Sequence, residues 1–170
     1  LTLSVLIEVF AGITLEQRLQ LLIAIPLFLS IIPPLNELGN GLATVASSRV
    51  ATALHLGTIE LKPNDPELIQ NISTLLIIGV VSSAYLAIIS YTLSTVSSIN
   101  TGTFVTILGV SVLAGFLLTS IIVSIAISMA FISWYWGLDP DNIVIPLATS
   151  ISDLVGILCL FISIGLIVKI

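Results

Sequence analysis

Long apolar runs alternate along this chain with short polar interruptions, on the length scale of a lipid bilayer. Five apolar segments can be drawn, at residues 1–13, 19–56, 72–96, 104–134 and 143–167. A helix rises ~1.5 Å per residue and the hydrocarbon layer is ~30 Å thick, so about 20 apolar residues suffice to cross it. The last three segments meet that length. The first is short and carries Glu8, which is the expectation for a span whose beginning is truncated ahead of Leu1. The second would reach ~57 Å as one straight helix, so it must break, tilt strongly or leave the membrane. Breaks are expected at Pro33-Pro34, which cannot donate backbone hydrogen bonds, and at Gly39-Asn40-Gly41, where glycine permits unusual dihedrals. Turn-forming residues separate the segments, notably Lys62-Pro63-Asn64-Asp65-Pro66 and Gly137-Leu138-Asp139-Pro140. The expected fold is all-α and integral to the membrane, with five transmembrane helices and a broken second span. Residues 1–170 form a single transmembrane domain in this reading, without a soluble regulatory domain.

Composition strengthens the membrane assignment and removes several function classes. Hydrophobic residues make up 57% of the chain and charged residues 8%, against about 25% charged in ordinary soluble domains. Nine acids face four bases (Arg18, Arg49, Lys62 and Lys169), a formal charge of -5. That balance provides neither a basic surface for nucleic acid nor a polybasic lipid-binding cluster. Five spans place Arg18 and Lys169 on one side and Arg49 and Lys62 on the other, so the positive charges do not choose an orientation. Glu60, Asp65, Glu67, Asp139 and Asp141 read first as a solvated loop surface and second as a mouth that concentrates cations. Trp134, Tyr135 and Trp136 form an expected interfacial belt. Cys159 is the sole cysteine, so no intrachain disulfide can form, and it reads as a small core residue.

One carboxylate stands out. No other charged residue lies between Asp141 and Lys169 except Asp153, which falls roughly 15 Å into the last span, near the bilayer centre. A charge at that depth costs at least ~2.5–3.5 kcal/mol, so such residues face a cavity, a partner or an ion path. Thr149, Asp153 and Gly156 share one helical face, with Ser152 and Ser163 close to it. Its competing reading is a packing seam in which Asp153 bonds a neighbouring hydroxyl. On the second segment, Asn36, Glu37 and Asn40 add polar side chains beside the expected breaks, a combination found in transporter ion sites. Counted from Leu19 along a straight helix, Asn40 lies ~32 Å away, near the far interface; a broken or tilted helix shortens that distance, and a place at the pore entrance is the alternative to the central site. Carboxylate, amide and hydroxyl oxygens suit hard cations such as Mg²⁺ and Ca²⁺, and there is no His/Cys cluster for zinc or copper. A two-fold dimer would set a second Asp153 across the axis, and a divalent cation would relieve the repulsion between them. Glu8 is a second acid within an apolar run, whereas Arg49 and His55 read first as structural.

Two stretches resemble the MgtE family of magnesium transporters and channels, most closely its short archaeal members. They are PPLNELGNGLATVASSRVATALHLG at residues 33–57 and GLDPDNIVIPLATSISDLVG at residues 137–156. The resemblance implies a five-span domain that dimerises around a central cation pore. The family's pore aspartate falls on Asp153, with Thr149 one turn earlier, and its Gly-Asn motif on Gly39 and Asn40. The loop face with Lys62 and Asp139 would be cytoplasmic.

The expectation is therefore a homodimeric, multi-pass protein of the cell membrane that transports divalent cations, Mg²⁺ first and Mn²⁺, Co²⁺ or Ca²⁺ as further candidates. Asp153 attracts the ion, and Asn40 and Thr149 orient its waters. Asn36, Glu37, Gly39, Thr44, Ser152, Gly156 and Glu8 line the pathway, which the glycines keep wide. A sodium- or proton-coupled carrier using Glu8 is the alternative to a channel. A structural subunit and an intramembrane enzyme rank lower, the latter because Asp153 has no second catalytic group beside it.

Overall fold

The computed structural model describes residues 2–59, 65–97, 102–138 and 140–168. The expected charges at Glu60, Lys62, Asp139 and Lys169 lie outside them. Within these bounds the chain is helical: α1 (Thr2–Gln17), α2 (Leu19–Ala24), α3 (Leu27–Leu56), α4 (Pro66–Val96), α5 (Phe104–Tyr135) and α6 (Pro140–Ile167). Three of these are long and apolar enough to cross a membrane, over Pro66–Val96, Phe104–Tyr135 and Val144–Ile167. The other two spans drawn from the sequence differ for identifiable reasons. α1 has 16 residues, or ~24 Å, and α3 carries Asn36, Glu37 and Asn40 in its middle.

The second segment does break, but not where expected. The interruption falls at Ile25-Pro26: Ile25 is extended (φ -133, ψ 87) and Pro26 opens the next helix. A proline disfavours helical geometry in the residue before it while suiting a helix start, so one residue accounts for both ends of the break. Pro33, Pro34 and the Gly39-Asn40-Gly41 run are all contained within α3. The two prolines each remove one backbone hydrogen bond, yet Ile31, Ile32 and Leu35 around them are buried and hold the helix against its neighbours.

Local signals set the other ends. Asp65 caps α4 by accepting from the Glu67 and Leu68 amides, with Pro66 in the first turn. Thr103 caps α5 through the Thr106 amide. α3 ends at Gly57 (φ 69), where the Thr58 amide reaches back to the Ala53 carbonyl. α5 ends the same way at Gly137 (φ 70), with Leu138 bonding Ser133. A left-handed residue closing such a motif is most easily glycine.

α5 is the hub, packing on α3, α4 and α6, while α1 packs on α6 and α4 covers α3 and α5. Of its membrane-capable stretch 56% is buried, against 22% for α4. Ala114, Leu118, Ile122, Ala126 and Ala130 give α5 a continuous enclosed face. Tyr135 and Trp136 at its end are exposed, as an interfacial anchor requires, while Trp134 packs edge-on against His55.

Candidate cation site

α3 and α6 approach closely because glycine stands where a side chain would collide. A Cβ on Gly39 would overlap Ser152 Oγ and press on Leu118 of α5, and a Cβ on Gly156 would overlap Asn36 Oδ1. The expected role of these glycines changes accordingly. Their vacant volume is filled by Ser152 and Asn36, so they draw the two helices together and do not widen a path.

Across this junction Asn40 Nδ2 donates to Asp153 Oδ1 at 3.2 Å. The straight-helix distance gives way to the broken-helix alternative. With the break at Pro26, Asn40 lies 13 residues into α3, and Asp153 lies 13 residues into α6. Each is therefore ~20 Å from the start of its helix, and the two meet at the same depth.

The donor set around the pair is rich in unengaged oxygen. Asn36 Oδ1, Asn40 Oδ1 and Ser152 Oγ are buried without a hydrogen-bond partner; Ser47 Oγ and Ser111 Oγ share that condition elsewhere. An unsatisfied buried polar atom costs about 1–3 kcal/mol, so three at one junction call for a functional reason. Amide and hydroxyl oxygens beside a carboxylate are the ligand chemistry of hard cations. Among the described residues no three His, Cys, Asp or Glu side chains are grouped to hold a metal ion. Such a donor set suits a cation that keeps much of its water.

Thr44 donates to the Asn40 carbonyl at 2.9 Å, stiffening the turn that presents Asn40. Thr149 sits one turn before Asp153 with its hydroxyl directed at the Ile145 and Pro146 carbonyls. Pro146 lies inside α6, and Thr149 and Ser150 both donate to its carbonyl. Glu37 stands apart from the Asn36–Asn40 face and lines the cleft between α3 and α4. Glu8 of α1 accepts from Ser150 Oγ at 3.4 Å.

Three contributors escaped the sequence reading. Ser150 links α1 to α6, and its only signal was its place three residues before Asp153, on the same helical face. Leu118, fully buried, supports both glycines from α5, and nothing distinguishes it in a uniformly apolar run. Pro26 sets the depth of Asn40, and its signal was the usual one for a proline.

Residues 32–163 match the family described as MgtE, divalent cation transporter. The matched region holds the α3–α6 junction with Asn36, Asn40, Ser152, Asp153 and Gly156, and covers well over half of the 170 residues. It is a transporter family and not an enzyme family, and the chain belongs to it: this is a membrane protein of the MgtE family of divalent cation transporters.

Proposed function

We propose that the protein carries Mg²⁺ across the cell membrane along a pathway lined by α3 and α6 and completed by a second copy of the chain. α1 and α3 add two further spans to the three membrane-capable helices, making five. Support comes first from the Asn40–Asp153 contact, set among three unpartnered oxygens. Asp153 supplies the attracting charge, while Asn36, Asn40 and Ser152 offer neutral oxygens to the water shell. Mg²⁺ dehydrates reluctantly, so a set with few carboxylates favours it over Ca²⁺, which gathers more direct ligands. Mn²⁺ and Co²⁺ are the competitors to test. Thr149 and Thr44 hold the backbone of the two facing turns. The test is Mg²⁺ uptake into liposomes by wild type and Asp153→Ala. Uptake is expected to vanish in the variant; equal uptake by the two removes Asp153 from the pathway.

A coupled carrier is the second reading, favoured by the hydrogen bond from Ser150 to Glu8 one turn from Asp153. Glu8 would then bind a proton or sodium ion in exchange for the divalent cation. Uptake that follows an imposed proton or sodium gradient, and loses that dependence in Glu8→Gln, supports a carrier. Uptake indifferent to both gradients supports a channel.

A further inference from the structure

The cleft between α3 and α4 has the chemical layout of a phospholipid. At one end, a cavity of about 400 Å³ is lined by Ser48, Arg49, Thr52, Thr58, Glu67 and Asn71. Further along the same two helices lies a largely apolar groove, also about 400 Å³, with Leu42, Val45, Leu75 and Ile78 in its walls next to the polar cavity and Glu37 and Ser82 further along. Val45 and Ser48 are three residues apart on α3, and Asn71 and Leu75 four apart on α4, so the cavity and the groove lie within about one helical turn of each other.

The charges in the polar end are placed separately. The Arg49 Nη1 donates to Asn71 Oδ1 at 3.2 Å; its bond goes to that neutral amide and not to Glu67, although both charged groups face the same cavity. Asn71 takes one guanidinium N–H, and among the described residues no other side chain accepts from Arg49. Ser48 and Thr52, one turn apart on α3, add hydroxyls beside it. Depth orders the two charges. Glu67 is in the first turn of α4, whereas the Arg49 guanidinium bonds Asn71, four residues and about 6 Å further along that helix.

We infer that this cleft binds a zwitterionic phospholipid of the phosphatidylethanolamine type. Its phosphate sits on Arg49, Ser48 and Thr52, its ammonium reaches outward to Glu67, and one acyl chain lies in the groove beside Val45 and Leu75. In such a lipid the phosphate is nearer the acyl chains than the amine, which is the order of Arg49 and Glu67. Arginine recognises phosphate by several hydrogen bonds at once. The apolar continuation selects a lipid over free phosphate. This site is separate from the Asn40–Asp153 junction and does not depend on the transport reading.

The test uses the full chain in detergent, following thermal unfolding as short-chain phosphatidylethanolamine, short-chain phosphatidylglycerol or inorganic phosphate is added. Phosphatidylethanolamine is expected to raise the midpoint more than phosphatidylglycerol, and inorganic phosphate to leave it unchanged. Arg49→Gln should weaken the response to both lipids by about tenfold, the scale of one lost charge-assisted contact. Glu67→Gln, an exposed change at a helix start that leaves the fold intact, should abolish the preference between headgroups. The inference is overturned if Arg49→Gln responds like wild type, if Glu67→Gln keeps the preference, or if phosphate alone reproduces the shift. Should Arg49→Gln not fold, the Glu67→Gln comparison decides by itself.

Discussion

The α3–α6 junction and the α4–α5 seam both bring helices together on glycine and differ in the polar side chains set beside it and in how their polar atoms are satisfied. Both use glycine to bring helices close. In the α4–α5 seam, Gly79 faces Thr119 and Gly115 faces Ser83, each without room for a Cβ. There Thr119 donates to the Gly115 carbonyl at 2.7 Å and Ser83 to the Val80 carbonyl at 2.9 Å. In the α3–α6 junction, the oxygens of Asn36, Asn40 and Ser152 are left without partners. Small residues and satisfied hydroxyls are packing material for helices in lipid. What sets the α3–α6 contact apart is three unsatisfied oxygens clustered beside a carboxylate, whereas the α5 face of the other seam holds a single one, Ser111, one turn before Gly115. Glycine and hydroxyl content would rank the two seams alike, since each holds two glycines and neighbouring hydroxyls, but only the α3–α6 junction adds a carboxylate and two amides.

The largest effect separating the two regions is electrostatic. Asp153→Asn preserves size and polarity at the junction but removes the charge, and is expected to lower Mg²⁺ flux about a hundredfold, equivalent to ~2.7 kcal/mol. Thermal unfolding should remain near wild type. Flux retained within twofold would reduce the junction to a packing contact like its counterpart.

Next come the glycines. Gly115→Ala drives a methyl into the Ser83 Cβ on the facing helix, and nothing there can rotate away, so a loss of about 1–3 kcal/mol of stability is expected. Gly156→Ala meets the Asn36 amide oxygen, which turns aside at a smaller cost in stability. It should instead lower flux, because a binding oxygen is displaced. Unfolding midpoints and flux measured on both variants check this crossing of effects; if both lose stability alone, the distinction fails.

The smallest effects concern single hydroxyls. Ser152→Ala removes a buried oxygen that has no partner, so it is expected to stabilise the protein by about 1 kcal/mol while lowering flux. Ser83→Ala removes a satisfied hydroxyl and should change stability by less than ~0.5 kcal/mol, with flux unchanged. Calorimetry and uptake on the pair would show whether stability and transport are opposed at one seam only.

Much of the architecture was legible from residue order. The long apolar runs became α4, α5 and α6, and Asp65-Pro66, Gly57 and Gly137 marked helix ends by local chemistry that requires no tertiary contact. Pro33-Pro34 misled for the converse reason. Proline penalises a helix by a few kcal/mol, and burial of Ile31, Ile32 and Leu35 on either side outweighs that locally. A motif with two prolines and two glycines looks like a break, whereas the actual break needed only Pro26.

From residue order alone came the membrane character, the helical class, the family and Asp153 as the residue to examine. These follow because lipid imposes length and polarity on each segment separately. The partner of Asp153 could not be read that way. Asn40 reaches it only because Pro26 resets the start of α3 and because Gly39 and Gly156 let two helices that are remote in sequence touch at one depth. Depth and helix-to-helix distance belong to pairs of segments, and they emerge only once the helices are packed.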